Sequence, residues 1–429
     1  MAKKLEEIKE EECPYELPEG WKWERLGNIA EVVSGGTPSS KVKEYYNGDI
    51  AWITPADLSG YKKRYISHGA KNITKTGLDR SSAKLIPKDT VLLSSRAPIG
   101  YVVIAKNELS TNQGFKNFLP SDDYLPQYLY WYLKGNKELL ESYASGTTFL
   151  ELSASKAKMI EFPLAPKETQ QKIVDIIDSL FAKLDIVQEK VEQVLAGSEN
   201  RRAAILHKAF SGKLTEKWRK ENGVLFDSWK NKAIGEFSFV TKLAGFEYSN
   251  NIYPNLCSIG IPLFKGKNVR DGELLLNFES FIPKEVSDEL PRSQLNKKCI
   301  LTPYVGTIGN VAIFDGSFHA HLGSNVGKIE ISSDTTEEYL VYYLRSHFGY
   351  QELTKEKKAT AQESISIKAI RNVSVILPTL PEQKEIVRLL DKLLFVEDKV
   401  KSTCQSTLEA IATMRKSILA KAFRGELCS

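Results

Sequence analysis

The chain has 429 residues, 42% of them hydrophobic and 26% charged, with a net charge of +5. This length holds about two to four domains with cores of their own, and the composition is that of a globular protein, neither disordered nor fibrous. The five scattered cysteines (Cys13, Cys257, Cys299, Cys404, Cys428) include no C-x-x-C pair, which argues against a disulfide framework and a structural zinc site. No apolar run approaches a membrane span, and the N-terminal MAKKLEEIKEEE has no apolar targeting segment, so no membrane association and a reduced cytoplasm are expected.

Residues 1–16 read as a charged arm. A first globular domain is expected over 17–165, with short β-type runs (Ala30–Val33, Ile50–Thr54, Val91–Ser94, Tyr101–Ala105, Phe115–Leu119) between Gly, Pro, Ser and Asn turns. The stretch Pro126–Ala144 is helical in pattern, with Tyr128, Leu129, Tyr132, Leu133, Leu139 and Leu140 near one face. Between Tyr61 and Lys116 eleven Lys/Arg stand against three Asp/Glu, and Arg201–Lys220 has seven against one. Basic stretches of this size favour a polyanion. Pro163 and Pro166 break the chain, and Glu168-Thr-Gln-Gln opens a long helix expected over 166–214.

After a linker (215–228), a second domain over 229–379 repeats the layout of the first. Trp21-Lys matches Trp229-Lys, Ile99-Gly100-Tyr-Val matches Ile308-Gly309-Asn-Val, and the aromatic run at Tyr128–Leu133 matches Tyr339–Leu344. Leu377-Pro-Thr-Leu-Pro381 then leads into a second long helix, 380–429. The duplication is clearest in the helices. Ile173–Leu214 and Ile386–Leu427 align without a gap and agree at 15 of 42 positions, among them Asp178/Asp391, Asp185/Asp398, Arg202/Arg415 and Phe210/Phe423. An offset of this size is too long for a solenoid repeat and marks a duplicated half-protein.

The first copy places Ile173, Ile177, Leu180, Leu184, Val187, Val191 and Val194 at alternating spacings of four and three, the seam of a coiled coil. The second continues with Ile386, Leu390, Leu393, Val400, Cys404, Ile411, Met414 and Ile418, interrupted by Glu397 and Thr407. The first copy turns polar at Ser198 and Arg201. The order domain, helix, domain, helix lets the two seams meet only if the helices run antiparallel, with both termini near the first domain. The expected fold is therefore α/β: two mixed domains separated by two long antiparallel coiled-coil helices, pseudo-twofold and close to circular.

Catalytic motifs are missing. Gly260–Lys267 has one residue too many for a P-loop, and no glycine-rich dinucleotide or methyl-donor fingerprint is present. His319 and His321 share a strand face but lack a third metal ligand at a recognisable spacing. Gly35-Gly36-Thr-Pro is compatible with a phosphate cradle or a plain turn. No catalytic or metal-binding residue is assigned.

At LPEGWKWERLG (Leu17–Gly27), at the two proline-led helix starts (Phe162–Asp185 and Leu377–Leu393), and at the tails KAFSGKL and KAFRGEL, the chain resembles the specificity (S) subunit of type I restriction–modification enzymes. The resemblance covers nearly the whole chain. It implies a non-catalytic subunit in which each recognition domain reads half of a split double-stranded DNA target. The helices would set the gap and dock two modification (methyltransferase) subunits, with restriction subunits completing the nuclease. S-adenosylmethionine, ATP and Mg²⁺ would belong to those partners, and this chain would hold no cofactor.

Reading base edges calls for Arg, Lys, Asn, Gln, Ser and Thr in the major groove, with phosphate contacts supplying position. The candidates in the first domain are Lys62, Lys63, Arg64, Arg80, Arg96, Asn112 and Gln113. In the second they are Lys265, Lys267, Asn268, Arg270, Arg292, Tyr304, His321 and Asn325. A coiled-coil scaffold that binds only protein, or a nuclease with a divergent site, are the competing readings.

Overall fold

The structure is a computed structural model and describes residues 5–9, 11, 13–96, 98–146, 150–270, 272–355 and 363–427. The chain divides into two compact units, residues 1–191 with 406–429 and residues 192–405. Each unit thus combines a globular domain with the start of one long helix and the end of the other.

In the first unit every expected β-type run falls on a strand. A five-stranded sheet takes the order Val32–Ser34, Phe115–Phe118, Val91–Ser95, Ile99–Ala105, Tyr65–Ile66. A four-stranded sheet takes the order Lys71–Ile73, Tyr46–Ile53, Leu109–Thr111, Leu85–Ile86, with Trp52 opposite Ser110 in a parallel pair. Val91–Ser95 is buried along its whole length, which explains why it reads as a continuous run without alternation. Lys22–Arg25 pairs antiparallel with Glu161–Leu164, tying the two ends of the domain together just before the long helix.

The helix Pro126–Gly135 starts with proline in its first turn, where the missing N–H costs nothing. Tyr128 through Leu133 are all buried, so this helix lies within the core.

The second unit repeats this plan. One four-stranded sheet runs Ser238–Lys242, Val326–Ile331, Cys299–Pro303, Ala312–Phe314. Another runs Phe281–Ile282, Ile261–Phe264, Ala320–Leu322, Gln294–Leu295, again with a parallel pair, Leu263 opposite His321. Lys230–Ala233 pairs with Ser374–Leu377 as its counterpart does in the first unit. The helix Glu337–Arg345 is capped by Thr336, whose hydroxyl accepts the Tyr339 N–H at 3.3 Å.

The first long helix runs Lys167–Ala196 and continues as Ser198–Phe210 after Gly197, whereas the second is one element, Leu380–Phe423. Their antiparallel course is visible in each unit separately. In the first unit Ile173, Val174, Ile177 and Phe181 share a core with Leu419, Ala422 and Phe423. In the second, Ile386, Leu390 and Leu394 share one with Ala209 and Phe210. As expected, the N- and C-terminal segments both belong to the first unit, where the Tyr15 hydroxyl donates to the Phe423 carbonyl at 3.1 Å. The segment expected as a linker contains the helix Glu216–Asn222, ended by Gly223 in the left-handed region at φ 64°.

Burial raises the tyrosines around both helix ends. Tyr15 and Tyr343 are pushed up to about 12, and Tyr132 and Tyr339 go well above the ordinary phenol value of 10.0. The folded protein therefore holds these protons more tightly than the unfolded chain. Their contribution to stability is complete below pH 10 and is lost as pH rises through the folded-state values. A spectrophotometric tyrosine titration should show a late group of phenols ionising together with loss of secondary structure. Independent titration of all tyrosines near pH 10 in the folded state would contradict this.

Candidate nucleic-acid interface and helix seam

Each globular domain grips the start of one helix and the end of the other through equivalent residues. Gln170 and Gln383 are wholly buried in the first turns of the two long helices. Gln170 donates to the carbonyls of Asp123 and Ala165 at 3.1 and 2.8 Å and accepts the Leu125 N–H at 2.8 Å. Gln383 donates to the carbonyls of Asp334 and Pro378 at 2.8 and 2.9 Å and accepts the Thr335 hydroxyl at 2.7 Å. Both amides use donor and acceptor at once, which is how a buried amide avoids a desolvation loss.

Two turns further along, Asp178 accepts from Trp131 Nε1 at 2.9 Å, and its counterpart Asp391 accepts from the Tyr342 hydroxyl at 2.6 Å. The helix tails enter the same cores. The Phe423 ring sits 5.0 Å from that of Tyr128 and 5.1 Å from that of Tyr132. Phe210 sits 5.5 Å from Tyr339 and 5.2 Å from Tyr343. These tilted and edge-to-face contacts are the favoured ones for aromatic pairs.

Along the seam, ion pairs repeat as well. Arg415 meets Asp185 at 2.5 Å in the first unit, and Arg202 meets Asp398 at 2.6 Å in the second. The two pairs join equivalent positions of the repeat, 213 residues apart, so each unit makes the same contact between its helix segments. The polar interruptions of the two seams answer each other, because Arg201 Nε donates to both oxygens of Glu397 at 3.0 Å.

The apolar seam itself is thinner than its pattern suggests. Ile173, Ile177, Ile386, Leu390 and Ile411 are buried, whereas Leu180, Leu184, Val191, Leu393, Val400, Cys404 and Ile418 are half-buried. Val187, Val194 and Met414 are exposed, a correction to their expected place in the seam. A narrow two-in-seven stripe covers only one side of a helix, and the rest of its surface stays open to solvent unless another element packs on it.

An additional apolar strip lies on the second helix. Phe395, Val396, Val400 and Cys404 line an open groove together with Lys399 and Thr403, and Phe395 is 69% exposed.

A further lock lies in the second unit. Glu382 is completely buried and accepts from Arg219 Nη1 at 2.6 Å, from the Thr215 hydroxyl at 2.7 Å and from Trp229 Nε1 at 2.9 Å. The Arg219 guanidinium also donates to the Gly212 carbonyl at 2.6 Å and lies 5.0 Å from the centre of the Phe226 ring. Position 382 corresponds to Thr169 in the other copy, so the repeat itself gives no sign of this cluster.

The expected DNA-facing residues fall into three groups. Lys62, Lys63 and Arg80 are exposed and have no partner among the described residues. Gln113, which bonds the Thr37 hydroxyl, and Asn325, at φ 65°, are exposed in turns, as is Arg270 at a strand end. A second group is partly engaged. Arg96 lies 4.0 Å from Glu151, Lys265 donates to the Ser280 hydroxyl at 2.8 Å, Lys267 pairs with Glu279, and Arg292 meets Glu247 at 2.9 Å. Asn112 caps Gly114 N–H at 2.9 Å, and the half-buried Tyr304 ring lies under Lys242 Nζ at 4.4 Å.

The third group corrects the expectation. Arg64 is held by Asp178 and stacks on Trp131, its guanidinium carbon 4.9 Å from the ring centre, so it fastens the domain to the helix. Asn268 is buried, accepting the Lys265 N–H and donating to the Leu275 carbonyl, both at 2.9 Å. His321 is fully buried, and burial lowers its pKa, so it offers no surface to DNA.

The Gly35-Gly36 turn is likewise a packing device. A Cβ on Gly35 would lie 2.0 Å from the Asn112 carbonyl oxygen, and one on Gly36 would lie 2.2 Å from the Ala83 nitrogen. Among the described residues no group of three or more His, Cys, Asp or Glu is placed to hold a metal ion, and no helix is long and apolar enough to cross a membrane.

Comparison with known proteins supplies the class. The type I restriction modification DNA specificity domain matches twice, at residues 18–196 and 228–408. The MjaIX specificity subunit of Methanocaldococcus jannaschii is 31% identical over 422 residues, 96% of this chain and 94% of that protein. The EcoBI specificity subunit of Escherichia coli is 26% identical over 426 residues, covering 94% and 80%. The HsdS subunit from Thermoanaerobacter tengcongensis, 18% identical, has the same fold with a TM-score of 0.67 over 96% of this chain and 99% of that one.

Two copies of one frame, each closed on paired helices and each matching a DNA specificity domain, define a duplicated sequence-recognition protein. The chain belongs to the type I restriction–modification specificity family. It is the DNA sequence-specificity subunit of such a system.

The Glu382 cluster gives a direct test of how the helices are held. Glu382→Ala leaves Arg219 buried without its carboxylate and should destabilise the second unit by about 3–5 kcal/mol. Hydrogen exchange should then lose protection over Thr215–Trp229 and the first turns of the second long helix. Unchanged protection there would show that the cluster holds nothing.

Proposed function

We propose that each globular domain reads one half of a bipartite double-stranded DNA target, and that the antiparallel helices set the gap between halves and dock two modification subunits. The observation that carries this reading is the duplication of the frame with divergence of its interior. The two domains share the buried glutamine, the aspartate clamp and the phenylalanine plug, yet their loop regions have almost no residues in common. A protein that must present two different reading surfaces in one fixed geometry needs this combination of constant fastening and variable surface.

The docking of modification subunits is supported by the thin seam and by the exposed groove at Phe395, Val396, Val400 and Cys404. Contiguous apolar surface on a helix otherwise rich in charge marks a protein contact. The chain itself contributes no catalytic group in this reading. S-adenosylmethionine, ATP and Mg²⁺ act in the modification and restriction subunits, and the complex works in the cytoplasm. Phosphate attraction in the first domain is supported by the exposure of Lys62, Lys63, Lys71, Lys75, Arg80, Lys84 and Lys88 within the basic stretch Tyr61–Lys116.

Modified-base sequencing of DNA from cells expressing this chain with its modification subunit should return two short blocks separated by a fixed unread gap. Excising one heptad from each helix (Gln188–Val194 and Ser406–Ala412) should shorten the pair by about 10 Å, roughly three base pairs. The gap should contract by that amount while both blocks keep their sequence. A single undivided motif, or an unchanged gap after excision, would refute the reading.

A further inference from the structure

In the second unit the chain leaving the strand Ser238–Lys242 forms one helical run from Gly245 to Asn255. It consists of an α turn (Gly245–Glu247), a π turn (Tyr248–Ile252) and a 3-10 turn (Tyr253–Asn255). Its inner side is fixed. Ile252 is wholly buried, and Tyr248 packs against the same core. Glu247 is buried, accepts the Ala244 N–H at 2.9 Å and meets Arg292 at 2.9 Å.

The outer side inverts the usual pattern. Phe246 is 68% and Tyr253 is 67% exposed. Asn250, exposed between them at spacings of four and three, has no side-chain partner among the described residues. Glu247, neutralised by Arg292, is the only charged residue of positions 243–260. This face therefore carries no cation of its own, and the nearest acid beyond Glu247, Glu289, is engaged by the Asn251 side chain at 3.5 Å.

Its chemistry fits base edges. The major groove admits a helix, asparagine matches the N6 and N7 of adenine, and apolar side chains contact the thymine methyl. Lys242, three residues before Gly245, is the cation at its flank, with its Nζ 4.4 Å from the centre of the Tyr304 ring, whereas Arg292 is taken up by Glu247. A π turn within a short helical run is uncommon and recurs at functional sites. Here it separates the outward Phe246 from the outward Tyr253 while Ile252 stays in the core.

We propose that the run Gly245–Asn255 is the base-reading element of the second domain. It enters the major groove of a half-site containing A·T pairs, with Asn250 on an adenine and Phe246 and Tyr253 packed on thymine methyls and neighbouring base edges. The proposal rests on the DNA-reading function set out above and names the surface that performs it in one of the two domains.

The test uses the full chain expressed with its modification subunit, read by modified-base sequencing. Asn250→Ala should reduce discrimination about tenfold or more at one A·T position of one block, leaving the other block and the gap unchanged. Asn250→Asp should move that position toward C·G, since a carboxylate accepts from the cytosine amine. Phe246→Ala with Tyr253→Ala should lower methylation at every site through the same block. All three change only exposed side chains, and melting curves matching the wild type confirm the fold.

Wild-type base preference in all variants overturns the proposal. So does loss of the modification subunit on purification with base preference intact, which would make this face a protein contact. A wild-type chain that marks no two-block motif overturns the underlying reading instead, and the two failures are distinguishable because only the second affects the unmutated protein.

Discussion

Burial of one phenylalanine at the tail of each long helix is the constraint on which the rest of this chain depends. Phe423 fills a space between Tyr128 and Tyr132, and Phe210 fills the matching space between Tyr339 and Tyr343. Losing such a ring from a closed core costs about 3–5 kcal/mol, a large share of a domain's net stability. Each domain is incomplete until the helix begun in the other copy supplies its plug. That requirement forces the helices to run in opposite senses. The surface ion pairs at Asp185 and Asp398, more than half exposed, are worth under about 1 kcal/mol each and cannot impose it. They follow a register that the cores have already chosen.

Beyond the plug, the fastening is polar and local. Gln170, Gln383, Asp178 and Asp391 each satisfy backbone or aromatic donors of their own domain, so the angle at which a helix leaves its domain is set by directional bonds as well as by greasy contact. Apolar packing alone tolerates slippage; a buried amide with donor and acceptor both engaged does not. On the proposed reading, a subunit that holds two reading surfaces in one geometry gains from this stiffness. It explains why these positions repeat while the loops between them do not.

The duplication, the strand-bearing segments of the first domain and the antiparallel course of the helices were legible in the sequence because they follow from pattern and connectivity. The fastening residues were partly legible. Asp178/Asp391 and Phe210/Phe423 stand among the repeated positions, and Gln170/Gln383 lie just upstream at the same offset. What could not be read was which polar side chains face inward. Arg64 looks like any other member of a basic stretch until Asp178, 114 positions away, is brought beside it. Asn268 and His321 are polar residues in turn- or strand-like contexts, and only the sheet pairing shows that the core surrounds them. The exposure of Val187, Val194 and Met414 was hidden for the opposite reason. A heptad pattern reports which face two helices share, and says nothing of how much of that face a two-helix pair can cover.

The two domains also differ in what they offer a polyanion. The first presents several exposed cations, Lys62, Lys63 and Arg80 among them, that have no partner among the described residues, a source of attraction that acts at a distance and weakens with salt. In the second, Lys267, Arg292 and Lys298 are each matched by a carboxylate, Glu279, Glu247 and Glu338, so much of the positive charge is cancelled locally. On the proposed reading, contact there comes from short-range fit, and the exposed aromatic and amide side chains between Gly245 and Gly260 are of the kind that supplies it. On the proposed reading, a shared frame thus carries one surface suited to long-range capture and another suited to close reading. The asymmetry arises because the fastening residues fix only where each surface stands, and leave its chemistry free to vary.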